Sequence, residues 1–241
     1  MGHRIIGHLG VPMSSAACQT PLVTATWPLF DLRIRTAHLE LRAPTDEDLM
    51  RLVAVASRGV HDPTEMPFLV PWTDLEPPEF ERSFLRFYWG TRASWSRDDW
   101  HLPLVVLLDG EPVGVQGIGA RDFSVRRVVV TGSWLGRESQ GQGVGTEMRA
   151  AVLHFAFAGL GAVAAESAAV TGNVASTRVS EKLGYRQNGI DVVAPRGEPV
   201  EQRRYLLVRE DWQPELYHTT IEGLEGCLDM FLGPDEDEPV D

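Results

Sequence analysis

The sequence predicts one α/β domain of the α+β kind: a mixed, mostly antiparallel sheet with helices packed on it. Three observations carry this. Two apolar runs, HLPLVVLL and EPVGVQGIGA, are separated by Asp109-Gly110, and Asp-Gly between such runs signals a type I′ hairpin. A third run, VRRVVVTGSWL, leads directly into the polar, glycine-rich stretch GRESQGQGVGTEM. Across the chain, patterned segments follow the order βαα, three antiparallel strands, α, β, α, ββ, which is not strict βαβ repetition.

Each element has a local reason. Residues 1–26 show no periodicity and many small or polar residues, so a disordered tail is expected there. Order is expected from WPLFDLRIRT, followed by the alternating strand LELRA. In PTDEDLMRLVAVA, Thr45 is a good N-cap, and Asp46, Glu47 and Asp48 occupy the first turn, where the helix dipole favours anions. Leu49, Leu52, Val53 and Ala56 then form a helical stripe. The proline-rich VHDPTEMPFLVPWTDLEPP reads as an irregular loop. PEFERSFLRFYWGTRASW reads as a helix whose core face carries Phe80, Phe84, Phe87 and Tyr88. After the hairpin, VRRVVVTGSWL reads as a long strand. The following helix presents Val144, Met148, Ala151, Val152 and Phe155 on one face and ends at GLG. AVAAESAAV is a short strand, NVASTRVSEKLG a helix from near Asn173, and YRQNGIDVVA with EQRRYLLV a hairpin. Residues 27–212 are thus expected to form the domain, with 213–241 a C-terminal extension ending in an acidic tail. Segment 213–233 is apolar enough to pack on a second copy, giving a homo-oligomer, or on its own domain.

Composition narrows the function. The formal charge of −12 argues against nucleic acid, which needs a basic face; five of the negative charges lie in the last seven residues, leaving −7 on the body. No apolar run approaches the ~20 residues of a membrane span. The N-terminal apolar stretch is broken by His8, Gly10 and Pro12, which disfavours a signal peptide. Cys18 and Cys227 are too few for a disulfide framework, so a reducing cytoplasm is expected. Lys182 is the only lysine, a bias that fits a GC-rich bacterial genome. The histidines show no paired ligand spacing, His154 included, so no metal is expected.

The glycine-rich stretch is the informative motif. A Walker A loop needs a lysine that is absent here, and a Rossmann turn needs G-x-G-x-x-G, whereas Thr146 stands where the last glycine belongs. Glu166, about 20 residues on, resembles a ribose-binding acid. However, a hairpin meander precedes the loop, and a polar insertion lengthens it. Gln140-Gly141-Gln142-Gly143-Val144-Gly145 does fit Q/R-x-x-G-x-G/A fully. Such a loop wraps its backbone N–H groups around a diphosphate, and the helix that follows adds its positive end. Arg137 adds a charge nearby.

On this motif, with HLELRAPTDEDL before it and NVASTRVSEKLGYRQNG after it, the chain resembles the GCN5-related N-acetyltransferase (GNAT) superfamily, in its RimJ/RimL-like branch. The resemblance covers roughly residues 32–212. It implies the GNAT fold: a central sheet splayed in the middle, with helices on both faces. It also implies acetyl-CoA or another acyl-CoA as co-substrate, and direct attack of an amine on the thioester.

Carried over, the backbone of Trp134 and Leu135 would hold pantetheine. Gln140, Gly141, Gln142, Gly143, Val144, Gly145 and Thr146 would hold the pyrophosphate, and Asn173 and Ser176 would contact the cofactor. Where many relatives have a tyrosine acid, this chain has Ser180, the candidate donor to sulfur. Glu166 is a weak candidate base, with Asp122, Glu201 and a bound water as contenders. His61, Asp62, Glu65, Phe68 and Trp72 lie in the loop that would wall the acceptor pocket. The expected reaction is N-acylation of a primary amine, on a small molecule or a protein N-terminus, with acetyl as the default group. Arg126 and Arg127, if inward, would favour a carboxylated acyl such as succinyl. A non-catalytic acyl-CoA-binding module would keep the loop but lack a working donor.

Overall fold

The computed structural model describes residues 26–232; Cys18, the acidic terminus and all but the last residue of the expected N-terminal tail lie outside the described residues. Strands β1 (Arg33–Arg35) and β2 (Leu39–Arg42) lead into helix α1 (Asp46–Ser57). Its N-terminus is a reciprocal capping box. Thr45 Oγ1 accepts from the Asp48 N–H at 3.1 Å, and the Asp48 carboxylate accepts from the Thr45 N–H at 2.7 Å. Helix α2 (Glu79–Ala93) follows the irregular loop. Strands β3 (Asp99–Leu108) and β4 (Glu111–Arg121) are joined through Asp109 (φ 51°) and Gly110 (φ 81°), the two positive φ angles that a type I′ turn requires. Then come β5 (Val128–Leu135), α3 (Val144–His154), β6 (Ala164–Val170), α4 (Val174–Lys182) and the hairpin β7 (Arg186–Val193) with β8 (Val200–Val208); β9 (Thr220–Glu222) is last.

The nine described strands form one sheet in the order β7-β8-β6-β5-β4-β3-β2-β1-β9. Every pairing is antiparallel except β5 with β6. That parallel pair holds for three rungs only: Val128 with Ala164, Val129 with Ala165 and Val130 with Glu166. Beyond Val130, β5 stays with β4 out to Leu135, while β6 stays with β8 out to Val170. The two strands therefore part in the middle of the sheet, the splay that the family resemblance implies.

Each face has its own core. Strand side chains alternate between faces. Leu104, Val106, Ile118, Val129 and Leu135 pack with α3, while Val105, Leu107, Val115 and Trp134 pack with α1 and α2.

Two expectations need correction. The third run is shorter than predicted: Val125 and Arg126 belong to a helical turn, Phe123–Arg126, that buries Phe123, and Arg127 is left-handed at φ 52°. On α2, Phe80, Phe84 and Tyr88 are buried, but Phe87 is 55% exposed. It lies outside the buried stack, against the Tyr88 and His101 rings at 5.1 and 6.0 Å between centroids.

Candidate active site

The glycine loop is held by its neighbours rather than by itself. The Gly136 N–H donates to Val113 O at 2.9 Å and the Arg137 N–H to Gly59 O at 3.0 Å. The Gln140 amide nitrogen donates to Val60 O at 2.6 Å and to Leu135 O at 2.9 Å. Gln142 donates to Glu138 O at 2.7 Å. The two motif glutamines thus brace the loop with their side chains and leave the backbone for a ligand.

Gly141 and Gly143 have φ of 75° and 90°, and a Cβ on either would meet nothing within 4 Å. Glycine is needed here for backbone conformation, and the space beside it is open. Among the described residues, no backbone carbonyl accepts from the N–H groups of Gly141, Gln142, Gly143, Val144 or Gly145. Five donors at the positive end of α3 make an anion cradle. Thr146 stands half-buried one step further into the helix. A Cβ on Gly145 would meet both Leu135 and Val179 at an ordinary 3.7 Å, so the helix start lies between β5 and α4. Arg137 lines a groove of about 420 Å³ beside the loop, together with Arg51 and Arg58.

The cradle opens onto the gap between β5 and β6. Backbone groups along a strand point to alternate sides. Because the Gly136 N–H bonds to β4, the groups of Trp134 also face β4, and those of Ser133 and Leu135 face the gap. Leu135 thus presents its N–H to the gap, whereas Trp134 contributes a buried indole. That indole donates to the Tyr88 hydroxyl at 2.9 Å and packs 5.8 Å from Trp72.

On the far side of the gap, the Asn173 side chain accepts from the Ser176 N–H at 3.0 Å and caps α4. Ser180 is fully buried, and its hydroxyl donates to Ser176 O at 3.1 Å.

The structure sorts the acidic candidates. Ser167 points toward α3, so its neighbour Glu166 points to the α1–α2 side, half-buried, at the last rung of the parallel pair. Asp122 sits at the end of β4 remote from the loop, and Glu201 is exposed on β8. Arg126 is exposed, and Arg127 donates to Leu160 O and lies over the Phe123 ring, so neither arginine faces the gap.

In the irregular loop, His61 bonds Thr73 Oγ1 and Asp62 O, both at 2.7 Å. The Asp62 carboxylate accepts from the N–H and hydroxyl of Thr64, which hold its pKa below the usual carboxylate range. Phe68 and Trp72 continue the aromatic stack down to Trp134. Arg196, on the β7–β8 turn, grips Asp74 with two bonds of 2.7 and 2.8 Å and also reaches Pro63 O. Loop and hairpin meet there above a cavity of about 320 Å³, whose lining includes Glu65, Asn173, Arg196 and Glu198.

Three polar residues on or behind the strands that lead to the gap escaped the sequence reading. His101 lies on the α1–α2 side of β3, with Nε2 2.7 Å from where a Cβ on Gly117 would be. Gly117 pairs with exposed Gly132 of β5, so the ring overlies β4, with β5 between it and the gap. The ring keeps an exposed edge, yet desolvation against the sheet lowers its pKa from the ordinary imidazole value. Gln116 is fully buried and donates to Gly117 O at 2.9 Å and Gly132 O at 3.1 Å. Arg149, 3% exposed, reaches from α3 into the gap itself. A glutamine inside the apolar run VGVQGIG was a usable signal. An arginine inside a helix was not, because surface helices carry them routinely.

Among the described residues, no helix is long and apolar enough to cross a membrane, and no three His, Cys, Asp or Glu side chains gather as metal ligands.

Comparison with known proteins agrees with this architecture. A family model described as an acetyltransferase (GNAT) domain matches residues 38–186. The chain is similar to Mycobacterium smegmatis RimJ, solved in complex with CoA-disulfide, at 21% identity and a TM-score of 0.62, over 82% of this chain and 91% of that one. It is similar to a GCN5-related N-acetyltransferase from Brucella melitensis at 19% identity and a TM-score of 0.61, over 75% and 80% of the two chains. RimL, a ribosomal L7/L12 alpha-N-protein acetyltransferase, matches at 16% identity and a TM-score of 0.55, over 72% and 91%. At these identities the likeness is one of fold. The family model spans more than half of the sequence and takes in the splayed strands and the whole glycine loop, and on that ground the chain belongs to the GNAT acetyltransferase family.

Proposed function

We propose that this N-acetyltransferase moves an acyl group, acetyl by default, from coenzyme A to a primary amine by direct attack. The observation that carries the reading is the parting of β5 from β6 at the mouth of a loop with five unengaged N–H donors. In this reading the donors from Gly141 to Gly145 take the pyrophosphate, with Gln140 and Gln142 bracing the loop and Thr146 beside it. Leu135 and Ser133 offer backbone to pantetheine along the gap, Trp134 supports them from behind, and the α4 start at Asn173 and Ser176 closes the other side.

The amine approaches from the α1–α2 side, where Glu65, Glu166 and Glu198 make the surroundings acidic. A cationic amine is drawn there, but it must lose a proton before it attacks. We assign that proton to His101, directly or through a water, because its depressed pKa leaves the ring neutral near pH 7. Glu166 stands on the same face as the second candidate. For Ser180 to donate to sulfur, its hydroxyl must leave the Ser176 carbonyl. The acceptor is a small-molecule amine or a protein N-terminus, the latter in keeping with the fold shared with RimL, and we place the reaction in the cytoplasm.

A carboxylated acyl group, such as succinyl, is the second reading. Arg149, a buried cation in the gap, favours it where Arg126 and Arg127 do not.

The test is release of free thiol from acetyl-CoA and succinyl-CoA with a panel of amines and N-terminal peptides. Turnover with either donor is the expected result, and the ratio of the two chooses the acyl group. Tight coenzyme A binding with no turnover on any acceptor sinks the catalytic reading.

A further inference from the structure

Arg149 projects from the middle of α3 between the diverging strands. Its Nη1 donates to Ser167 Oγ on β6 at 3.0 Å, its Nη2 to Ser133 Oγ on β5 at 3.1 Å, and its Nε to Gln116 Oε1 on β4 at 3.3 Å. Ser167 lies one residue and Ser133 three residues past the last parallel rung, and Ser133 is the part of the network that is not fully buried. Among the described residues, no carboxylate pairs with this guanidinium. Glu147, two residues earlier, is taken up by Thr36 and His38, and Glu166 points to the opposite face. The titratable neighbour is Tyr185, whose hydroxyl lies 3.3 Å from Thr131 Oγ1. Burial raises its pKa, and Arg149 and Thr131 offset only part of that, so it is neutral at pH 7.

A guanidinium stays charged in a protein, and one solvated by neutral oxygens in a water-poor site acts over a long reach. As a mere spacer it would be a poor choice, since an apolar side chain of similar volume fills such a position at no cost in desolvation. The site therefore has a positive charge in waiting, directed at the gap.

We propose that Arg149 is the electrostatic partner of the donor sulfur. It offsets the negative charge that collects on sulfur as the thioester breaks. This rests on reading the gap as the pantetheine channel. In the transfer, the amine lone pair forms the N–C bond, the C–S bond breaks with its electron pair on sulfur, and the amine proton goes to the base. Arg149 gives up no proton. The sulfur can leave as thiolate, and Ser180 need not act as an acid.

The experiment titrates the thiol of coenzyme A bound to the intact protein, by thiolate ultraviolet absorbance, with desulfo-coenzyme A binding as the control. The bound thiol is expected to ionise about one pH unit or more below free coenzyme A, as for any group gaining an opposite charge nearby. Arg149→Lys should keep much of that shift. Arg149→Gln should return the thiol to its free value while still binding desulfo-coenzyme A within a few-fold of the parent. A bound thiol in the parent protein that titrates like free coenzyme A overturns the proposal, and that measurement needs no variant to fold. So does an Arg149→Gln protein that keeps the shift, or one that loses only its affinity for succinyl-CoA, since the cation then serves an acyl carboxylate. Failure of the parent protein to bind desulfo-coenzyme A overturns the channel reading beneath it.

Discussion

At the residue scale, the site depends on a few positions whose chemistry is local. Gly143 begins α3 from a left-handed conformation, which costs a β-carbon residue about 1–2 kcal/mol. Gly143→Val should therefore lower the unfolding temperature by a few degrees and weaken coenzyme A binding at least tenfold. Thermal unfolding and calorimetric titration separate the two effects, and unchanged affinity would show that the loop holds something else. His101 gives a second prediction. Its pKa is lowered by desolvation, so the ring is neutral at pH 7 and protonates only as pH falls below the ordinary imidazole value of 6.5. If it is the base, the acidic limb of kcat/KM lies below that value, and His101→Gln removes the limb and costs about 10²–10⁴ in rate. An acidic limb above 6.5, or one that survives the substitution, assigns the base elsewhere. The loop glycines were legible in the sequence because spacing alone reports a backbone conformation. His101 was not, because its role depends on Gly117 and Gly132, which come alongside only through strand register.

At the element scale, boundaries that rest on capping or turn chemistry were readable and those that rest on packing were not. The start of α1 at Thr45, the Asp109-Gly110 turn and the Asn173 cap are all written in adjacent residues. The short turn before β5 and the exposure of Phe87 follow from what lies across the sheet. Helix α1 shows how much one cap can carry. Asp48 is 3% exposed, closes the capping box, and takes two bonds of 2.6 and 2.8 Å from Arg42 on β2. Burial pushes its pKa up, but Arg42 and Thr45 outweigh that, and the net pKa lies below 3.8. A depressed carboxyl contributes stability that is fully present above its unfolded pKa and is lost as pH falls through the lower folded value. Stability should therefore be flat in this respect from neutrality down to about pH 4, then fall in more acidic solution. Asp48→Asn should cost about 2–4 kcal/mol at pH 7, since it removes the two-bond partner of a partly buried Arg42 and leaves it only Glu40, at 3.5 Å. It should also flatten the acid dependence. Urea titrations of both proteins across pH measure this, and an unchanged acid slope would remove Asp48 from the account.

At the scale of the whole molecule, the question is whether residues beyond 212 belong to the folding unit, on which composition alone left two readings open. The chain after Trp212 runs back to the far edge of the sheet. There β9 pairs with β1 through Ile221 and Ile34, and Gly223 passes so close to Asp31 that a Cβ would lie 2.4 Å from its carbonyl oxygen. Phe231 and Cys227 are fully buried, with Phe231 packed against Trp95, Trp100 and Phe155, which belong to the loop before β3, to β3 and to the helical turn that follows α3. The Cys227 thiol is pushed up to about 12, first by burial and then by the nearby carboxylates, so it is inert as a nucleophile. These contacts complete the main core on the α3 face, and that same core holds the helix whose start forms the anion cradle. Removing a buried phenylalanine ring costs about 3–5 kcal/mol. Phe231→Ala should lower global stability by that amount, with coenzyme A affinity at low temperature nearly unchanged, because the ring lies far along α3 from the loop. Ending the chain at residue 212 should cost more, since it also strips β1 of its edge partner and opens the core to water. Denaturant unfolding of the full chain and both variants decides the matter. A truncated protein as stable as the parent would mean that the segment rests on the domain without belonging to it.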